Sequence, residues 1–323
     1  MAGVDVNEGC QVADARIRAH PGLAATSSLL VAHRGEVVFE RYYRGCKAGD
    51  LHSIHSVTKS VVSTLIGILE ADELISLETP IASLLDIPAL QADAAKRTIT
   101  VRHLLTMSSG LDGGLIDGDQ HWDIAEVARR GEPWVGGALQ APLVAEPGQV
   151  FSYNNGAAHV LSAVIAAAAG RPAEDLAAER LFTPLGIERW HWPLDPQGLH
   201  RGAGDLQLAA RDLLKLGLLY LGAGAWEGTR VIAETYIRTA TSSLRWDAGA
   251  PEPGSYGLLW WVADRATPAM FFAAGHGGQY VIVVPELDVV VVTMADAEAM
   301  RPPRGWLLRR LAMETIVPAF AAA

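Results

Sequence analysis

The chain has 323 residues, half of them hydrophobic, and 36 acidic against 26 basic side chains leave it a net charge of -10. That is enough apolar material for a sizeable core in one large domain or two, and the negative sign argues against nucleic acid and anionic membranes as partners. Two cysteines, Cys10 and Cys46, give no disulfide framework.

Met1–Asp14 carries Asp5, Glu8 and Asp14 and lacks the apolar run of a secretory signal. The longest apolar stretch, Ala157–Ala169, is interrupted by His159 and Ser162 and is too short for a bilayer. A soluble, cytoplasmic protein is expected. Ser28–Ala32 and Val37–Tyr43 read as two strands about the turn Arg34-Gly35-Glu36, a hairpin signal. From Ser56 to about Tyr236 the pattern is mostly helical, with segments at Ser56–Leu69, Val101–Met107, Ala157–Ala169 (ending at Gly170) and Ala209–Leu221. Strand patterns return at Tyr256–Val262, Met270–Ala274, Tyr280–Val284 and Val289–Met294, the last two joined by Pro285-Glu286-Leu287-Asp288. A final helix is expected from about Arg304 to Ile316.

Strands at both ends and helices between them predict an α/β protein of the α+β kind. An antiparallel sheet from about 1–55 and 237–323 is flanked by helices, and a mainly helical region, about 56–236, is inserted into it. The whole chain, 1–323, is expected to form one unit with its cleft at the junction.

Three segments can carry chemistry. In the first, Lys59 follows Ser56 by three residues at the start of a helix, so hydroxyl and amine share a face beside free backbone N–H groups. A serine attacks a carbonyl well when a base takes its proton, and an amine desolvated by Val61, Val62, Leu65 and Ile66 can be that base. Lysine is scarce here, with only Lys47, Lys59, Lys96 and Lys215, and arginine could not replace it in that role. The bland alternative is a capping serine and a surface lysine. The second segment is Phe151-Ser152-Tyr153-Asn154-Asn155, just ahead of a helix. Tyr153 can shuttle a proton, and Asn155 can donate to a substrate carbonyl and bond the lysine. Alternatively, Tyr153 packs and Asn155 caps the helix. The third is Gly275-His276-Gly277-Gly278-Gln279 at a strand end, where glycines admit a substrate backbone and the next N–H can face an oxyanion, or simply form a tight turn.

In this order, Ser-x-x-Lys, Tyr-x-Asn and His-x-Gly resemble the motifs of the serine β-lactamase and DD-peptidase superfamily. The match is to its class C-like branch, with its family VIII-type esterases and 6-aminohexanoate-oligomer hydrolases. Ser28–Gly45, Val101–Asp112, Gly202–Trp226 with Asp212, and Tyr256–Trp261 are similar in character to that family as well. The resemblance implies a β-lactamase/transpeptidase-like fold and an acyl-enzyme on Ser56, with Lys59 and Tyr153 managing the proton. It assigns the oxyanion to the N–H groups of Ser56 and Gln279, and substrate contacts to Asn155, His276, Gly277 and Gly278. It also suggests that the insertion from Leu111 to Leu139 lines the pocket through Trp122, Asp123 and Trp134, alongside His121; loop packing is the alternative.

Lactam-cleaving members carry lysine where this chain has His276, and Gly277 stands where a hydroxyl residue would bond a substrate carboxylate. Strong β-lactamase activity is therefore not expected, and no Ser-Asp-Asn motif supports the class A arrangement. The expected function is hydrolysis of a small-molecule ester or amide. A D-amino-acid peptidase or weak β-lactamase is the enzymatic alternative, and a penicillin-binding-like sensor or scaffold the non-enzymatic one. No cofactor or metal is expected. His52 and His55 lack a third ligand and read as structural. Asp112, Asp117, Asp119 and Asp123 lack the glycine and glutamate of a calcium loop, and Gly222-Ala223-Gly224 reads as a helix-ending turn.

Overall fold

The computed structural model describes residues 6–113, 123–244, 255–300 and 304–321. Its strands are β1 (Thr26–His33), β2 (Glu36–Tyr42), β3 (His52–Ser53), β4 (Gln207–Leu208), β5 (Ala225–Trp226), β6 (Thr229–Arg230), β7 (Ser255–Tyr256), β8 (Trp261–Ala263), β9 (Met270–Gly275), β10 (Gln279–Val284) and β11 (Val289–Ala295). Seven of them form one sheet in the order β2-β1-β11-β10-β9-β8-β7, with every neighbouring pair antiparallel. The two ends of the sequence meet where β1 pairs with β11, Leu30 opposite Val292. The expected antiparallel sheet drawn from both termini is therefore present.

The valine runs of β10 and β11 are buried along their whole length because both sheet faces are covered. Leu30, Ala32, Val281, Val283, Val290 and Val292 point into the larger core with the central helix α2 (Thr58–Ala71). Leu29, Val31, Ile282, Val284, Val289 and Val291 point the other way, against α1 (Val6–Ala19) and the C-terminal helices Trp306–Leu311 and Val317–Ala321. Helix α2 is buried from Thr58 to Leu69. Its polar residues are therefore bonded: Ser60 and Ser63 donate to the carbonyls of Leu259 and Leu258, and Thr64 to that of Ser60. These bonds fix α2 against the chain that enters β8.

Several boundaries differ from expectation. Tyr256–Val262 is not one strand. Gly257 and Leu259 (φ 58°) reverse the chain, and β7 and β8 pair as a short hairpin. The last helix begins at Trp306, and a wider turn over Ala312–Ile316 joins it to Val317–Ala321. Helix α1 was not anticipated. Its apolar stripe is only Cys10, Ala13 and Ile17, set among charged residues. No helix among the described residues is long and apolar enough to cross a membrane.

Candidate active site

The approach to Ser56 is held by backbone pairing. Strand β3 pairs with β4, His52 opposite Leu208, and the Ile54 N–H donates to the Leu206 carbonyl at 2.8 Å. His55 then takes a left-handed φ of 46°, an unusual conformation for a side-chain-bearing residue. A single 3-10 turn, His55–Val57, carries Ser56 ahead of the first turn of α2. The expected helix from Ser56 thus begins two residues later, at Thr58, and the tighter turn places the hydroxyl over the next turn's lysine. Both β9 and β10 contact this turn. Gly275, the last residue of β9, lies so close that a Cβ there would sit 2.4 Å from the Ile54 carbonyl oxygen.

Lys59 is 1 % exposed, and its Nζ lies 2.9 Å from Ser56 Oγ, 2.9 Å from Asn155 Oδ1 and 2.5 Å from the Ala203 carbonyl. All three partners are neutral oxygens. A neutral amine offers two N–H groups and one lone pair, which these partners satisfy when the serine hydroxyl donates. An ammonium offers three N–H groups, which they satisfy when it accepts. Either form is bonded, so a proton can pass between Oγ and Nζ without rearrangement.

Tyr153 sets its ring centroid 5.0 Å from Lys59 Nζ and stacks on Trp261, at 6.0 Å and 12°. Tyr256 meets both rings edge-on. Asn154 takes the capping role considered for Asn155: its Oδ1 accepts the Ala157 N–H at 2.9 Å and opens the helix Asn155–Ala169. Asn155 is thereby free to turn its Oδ1 to Lys59 and its amide nitrogen to Asp123 Oδ2, at 3.3 Å. Asp123 caps the helix Ile124–Arg129 through Oδ1, so it joins the network through Asn155.

His276, Gly277 and Gly278 form the tight turn from β9 to β10, in which Gln279 pairs with Gly275. Both glycines have positive φ, 78° and 94°; a Cβ would meet Ala297 at 2.4 Å and Leu308 at 2.8 Å. The Gln279 side chain is committed elsewhere, exchanging hydrogen bonds with the Ala295 backbone, while β10, which this residue opens, lies against the His55–Val57 turn. The His276 ring packs edge-on against His55 at 5.8 Å. Burial pushes His55 below the usual imidazole range; Asp205 and Glu298 oppose the shift, and His276 and Lys59 add to it. Trp134 is packed on His159 and under Arg201, and its buried indole N–H has no partner among the described residues. Trp122, His121, Asp117 and Asp119 lie outside the described residues.

Sequence reasoning missed the support behind Ala203. His159 and Asp195 are buried, and the ring's Nε2 lies 2.9 Å from Asp195 Oδ2. Its Nδ1 accepts the Gly202 N–H at 3.2 Å, which leaves the proton on Nε2 for Asp195. Burial would raise Asp195, but the bonds from His159 and the Leu199 and Gln197 N–H groups hold it below the usual carboxylate range. The pair therefore pins the segment that presents the Ala203 carbonyl to Lys59. The available signal was Gly202-Ala203-Gly204: a Cβ on Gly202 would lie 2.6 Å from the Ala158 carbonyl.

A family model for Beta-lactamase matches residues 13–314. The 6-aminohexanoate-dimer hydrolase of Paenarthrobacter ureafaciens is 24% identical over 289 residues, covering 84% of this chain and 72% of that one. Esterase EstB of Burkholderia gladioli is 28% identical over 182 residues, 49% of this chain and 44% of the esterase. Among solved structures, EstCE1, a hydrolase with promiscuous acyltransferase activity, superposes with a TM-score of 0.78 at 17% identity, covering 96% of this chain and 98% of that one. A penicillin-binding protein homolog from Caulobacter crescentus gives 0.75 at 16% identity, covering 100% and 99%. With most of its length matched and the fold shared, the chain belongs to the beta-lactamase family.

Proposed function

We propose that the protein is a serine hydrolase that cleaves a small ester or amide through an acyl-enzyme on Ser56. The observation that carries this reading is the Lys59 amine, buried and bonded only to neutral oxygens, 2.9 Å from the serine hydroxyl. Ser56 Oγ attacks the substrate carbonyl carbon as its proton passes to Lys59 Nζ. The tetrahedral oxyanion is held by backbone N–H groups of the catalytic turn and of β10, at Ser56 and Gln279. Its collapse breaks the bond to the leaving alcohol or amine, which takes a proton relayed from Lys59. Water then adds to the acyl carbon, giving its proton back through Lys59 and Tyr153, and the ester to Ser56 breaks.

Support for an ester or amide comes from the relatives, one named an esterase and one a 6-aminohexanoate-dimer hydrolase. His276 in place of lysine argues against a substrate held by its carboxylate. The test is turnover of a short-chain p-nitrophenyl ester, a 6-aminohexanoate dimer and nitrocefin by the protein and by Ser56→Ala. Ester or amide turnover that vanishes in the variant is expected. Lactam cleavage alone would favour the β-lactamase reading, and a lasting mass adduct without turnover would favour a sensor.

A further inference from the structure

The connection from β2 to β3 brings three different donor atoms together. Arg44 (φ 56°) and Gly45 (φ 78°) turn the chain, and the Cys46 N–H closes that turn on the Tyr43 carbonyl at 3.0 Å. A second turn follows, in which the Lys47 N–H donates to Asp50 Oδ2 at 2.8 Å and the Asp50 N–H to the Lys47 carbonyl at 3.1 Å. His52 is then fixed by pairing with Leu208. As a result, the Cys46 sulfur, an Asp50 carboxylate oxygen and a His52 ring nitrogen all lie within 4.8 Å of one another.

These donors are not spent elsewhere. Cys46 is a free thiol, and neither it nor the His52 ring makes a side-chain hydrogen bond to a described residue. Asp50 uses one carboxylate oxygen on Lys47 and keeps the other. By contrast, Glu40 and Asp72 are both taken up by arginines.

We propose that Cys46, Asp50 and His52 form a binding site for a borderline-soft divalent cation of the zinc type. Thiolate, imidazole and carboxylate together favour zinc or cobalt over magnesium or calcium, which take all-oxygen shells. Metal–donor bonds of about 2.0–2.3 Å put tetrahedral ligands roughly 3.3–3.8 Å apart, so donors already within 4.8 Å of one another need to close by at most about 1.5 Å. A pocket of about 430 Å³ opens beside Cys46 and His52, and its wall carries Glu298 and the Arg44–Asp296 ion pair. Water from that pocket fills the fourth position. The ion is structural: it clamps the β2–β3 connection four residues before Ser56 and takes no part in the hydrolysis. The sequence alone left His52 and His55 as structural residues lacking a third ligand; the turns instead bring Cys46 and Asp50 to His52.

The test uses the full chain, stripped with chelator and titrated with Zn²⁺ or Co²⁺ alone. Zinc at a hundredfold excess over its Kd should raise Tm by about 4 °C. Cobalt should give a near-ultraviolet sulfur-to-metal charge-transfer band and the visible bands of a tetrahedral site. Cys46→Ser should abolish the charge-transfer band, and Cys46→Ser and His52→Ala should each remove most of the Tm shift. Asp50→Asn, which retains the turn's acceptor oxygen, should weaken uptake without unfolding the metal-free protein. Absence of uptake by the unmodified chain, or equal uptake by Cys46→Ser, would overturn the proposal.

Discussion

Removing the His159 ring should damage catalysis at a distance. His159→Ala strands two buried polar groups: Asp195 Oδ2, bonded at 2.9 Å, and the Gly202 N–H, bonded at 3.2 Å. Asp195 Oδ1 keeps the Gln197 and Leu199 N–H groups, so the carboxylate is only partly abandoned. An unsatisfied buried group costs about 1–3 kcal/mol, and with two such groups and a cavity the loss should reach about 3–5 kcal/mol. At roughly 1.5 °C per kcal/mol for a chain of this length, that is a fall in Tm of about 4–8 °C, read by calorimetry. The segment behind Ala203 keeps the Ser162 bond to the His200 carbonyl and the Trp192 bond to the Arg201 carbonyl, so the variant should still fold. The Ala203 carbonyl should nevertheless drift from Lys59. Loss of that one contact should lower kcat about tenfold on the ester, equivalent to about 1.4 kcal/mol, with KM little changed. His159→Gln, which retains a donor and an acceptor, should recover part of both losses. An unchanged kcat in His159→Ala at a temperature where it is folded would refute the claim that this pair positions the lysine's third partner.

Three other outcomes separate structural from catalytic roles. Gly275→Ala drives a Cβ to 2.4 Å from the Ile54 carbonyl, so it should part β9 from the catalytic turn and cut kcat at least tenfold, at about 1–3 kcal/mol in stability by denaturant titration. Adjacent asparagines should divide: Asn154→Ala should lose about 1–2 kcal/mol of stability with its cap, whereas Asn155→Ala should retain stability and lose kcat. Arg211, clamped on Glu40 by two bonds of 2.7 Å, is the leading reason that Glu40 sits below the usual carboxylate range. A lowered folded pKa stabilises above the unfolded value of about 4.3 and stops doing so as pH falls through the folded value. The Tm gap between the protein and Glu40→Gln should therefore be open at pH 7 and narrow as pH falls below the unfolded value.

What could be read from the sequence follows from how local each signal is. The hairpins at Arg34-Gly35 and Pro285–Asp288 were legible because apolar runs flank a turn on both sides. The buried helix behind Ser56 was legible because its apolar residues run all round it. The reversal at Gly257–Leu259 was hidden, since aromatic residues on either side continue a strand pattern through it. Which of Asn154 and Asn155 caps the helix depends on Leu111 and Asp123, far away in the chain. The Ala203 carbonyl carries no side-chain signature at all. Its role follows from where Gly202 packs on the Asn155–Ala169 helix and from the His159 ring beneath it.

The most direct test of the central claim is the mass of the protein mixed rapidly with an activated ester and quenched, followed by mapping of the modified peptide. The account predicts one acyl group, on Ser56, that decays at the turnover rate, and none in Ser56→Ala. Lys59→Arg keeps a cation in place but cannot accept the proton, and should show no adduct on the same timescale. Acylation at any other residue, or unchanged acylation of Ser56 in Lys59→Arg, would contradict it.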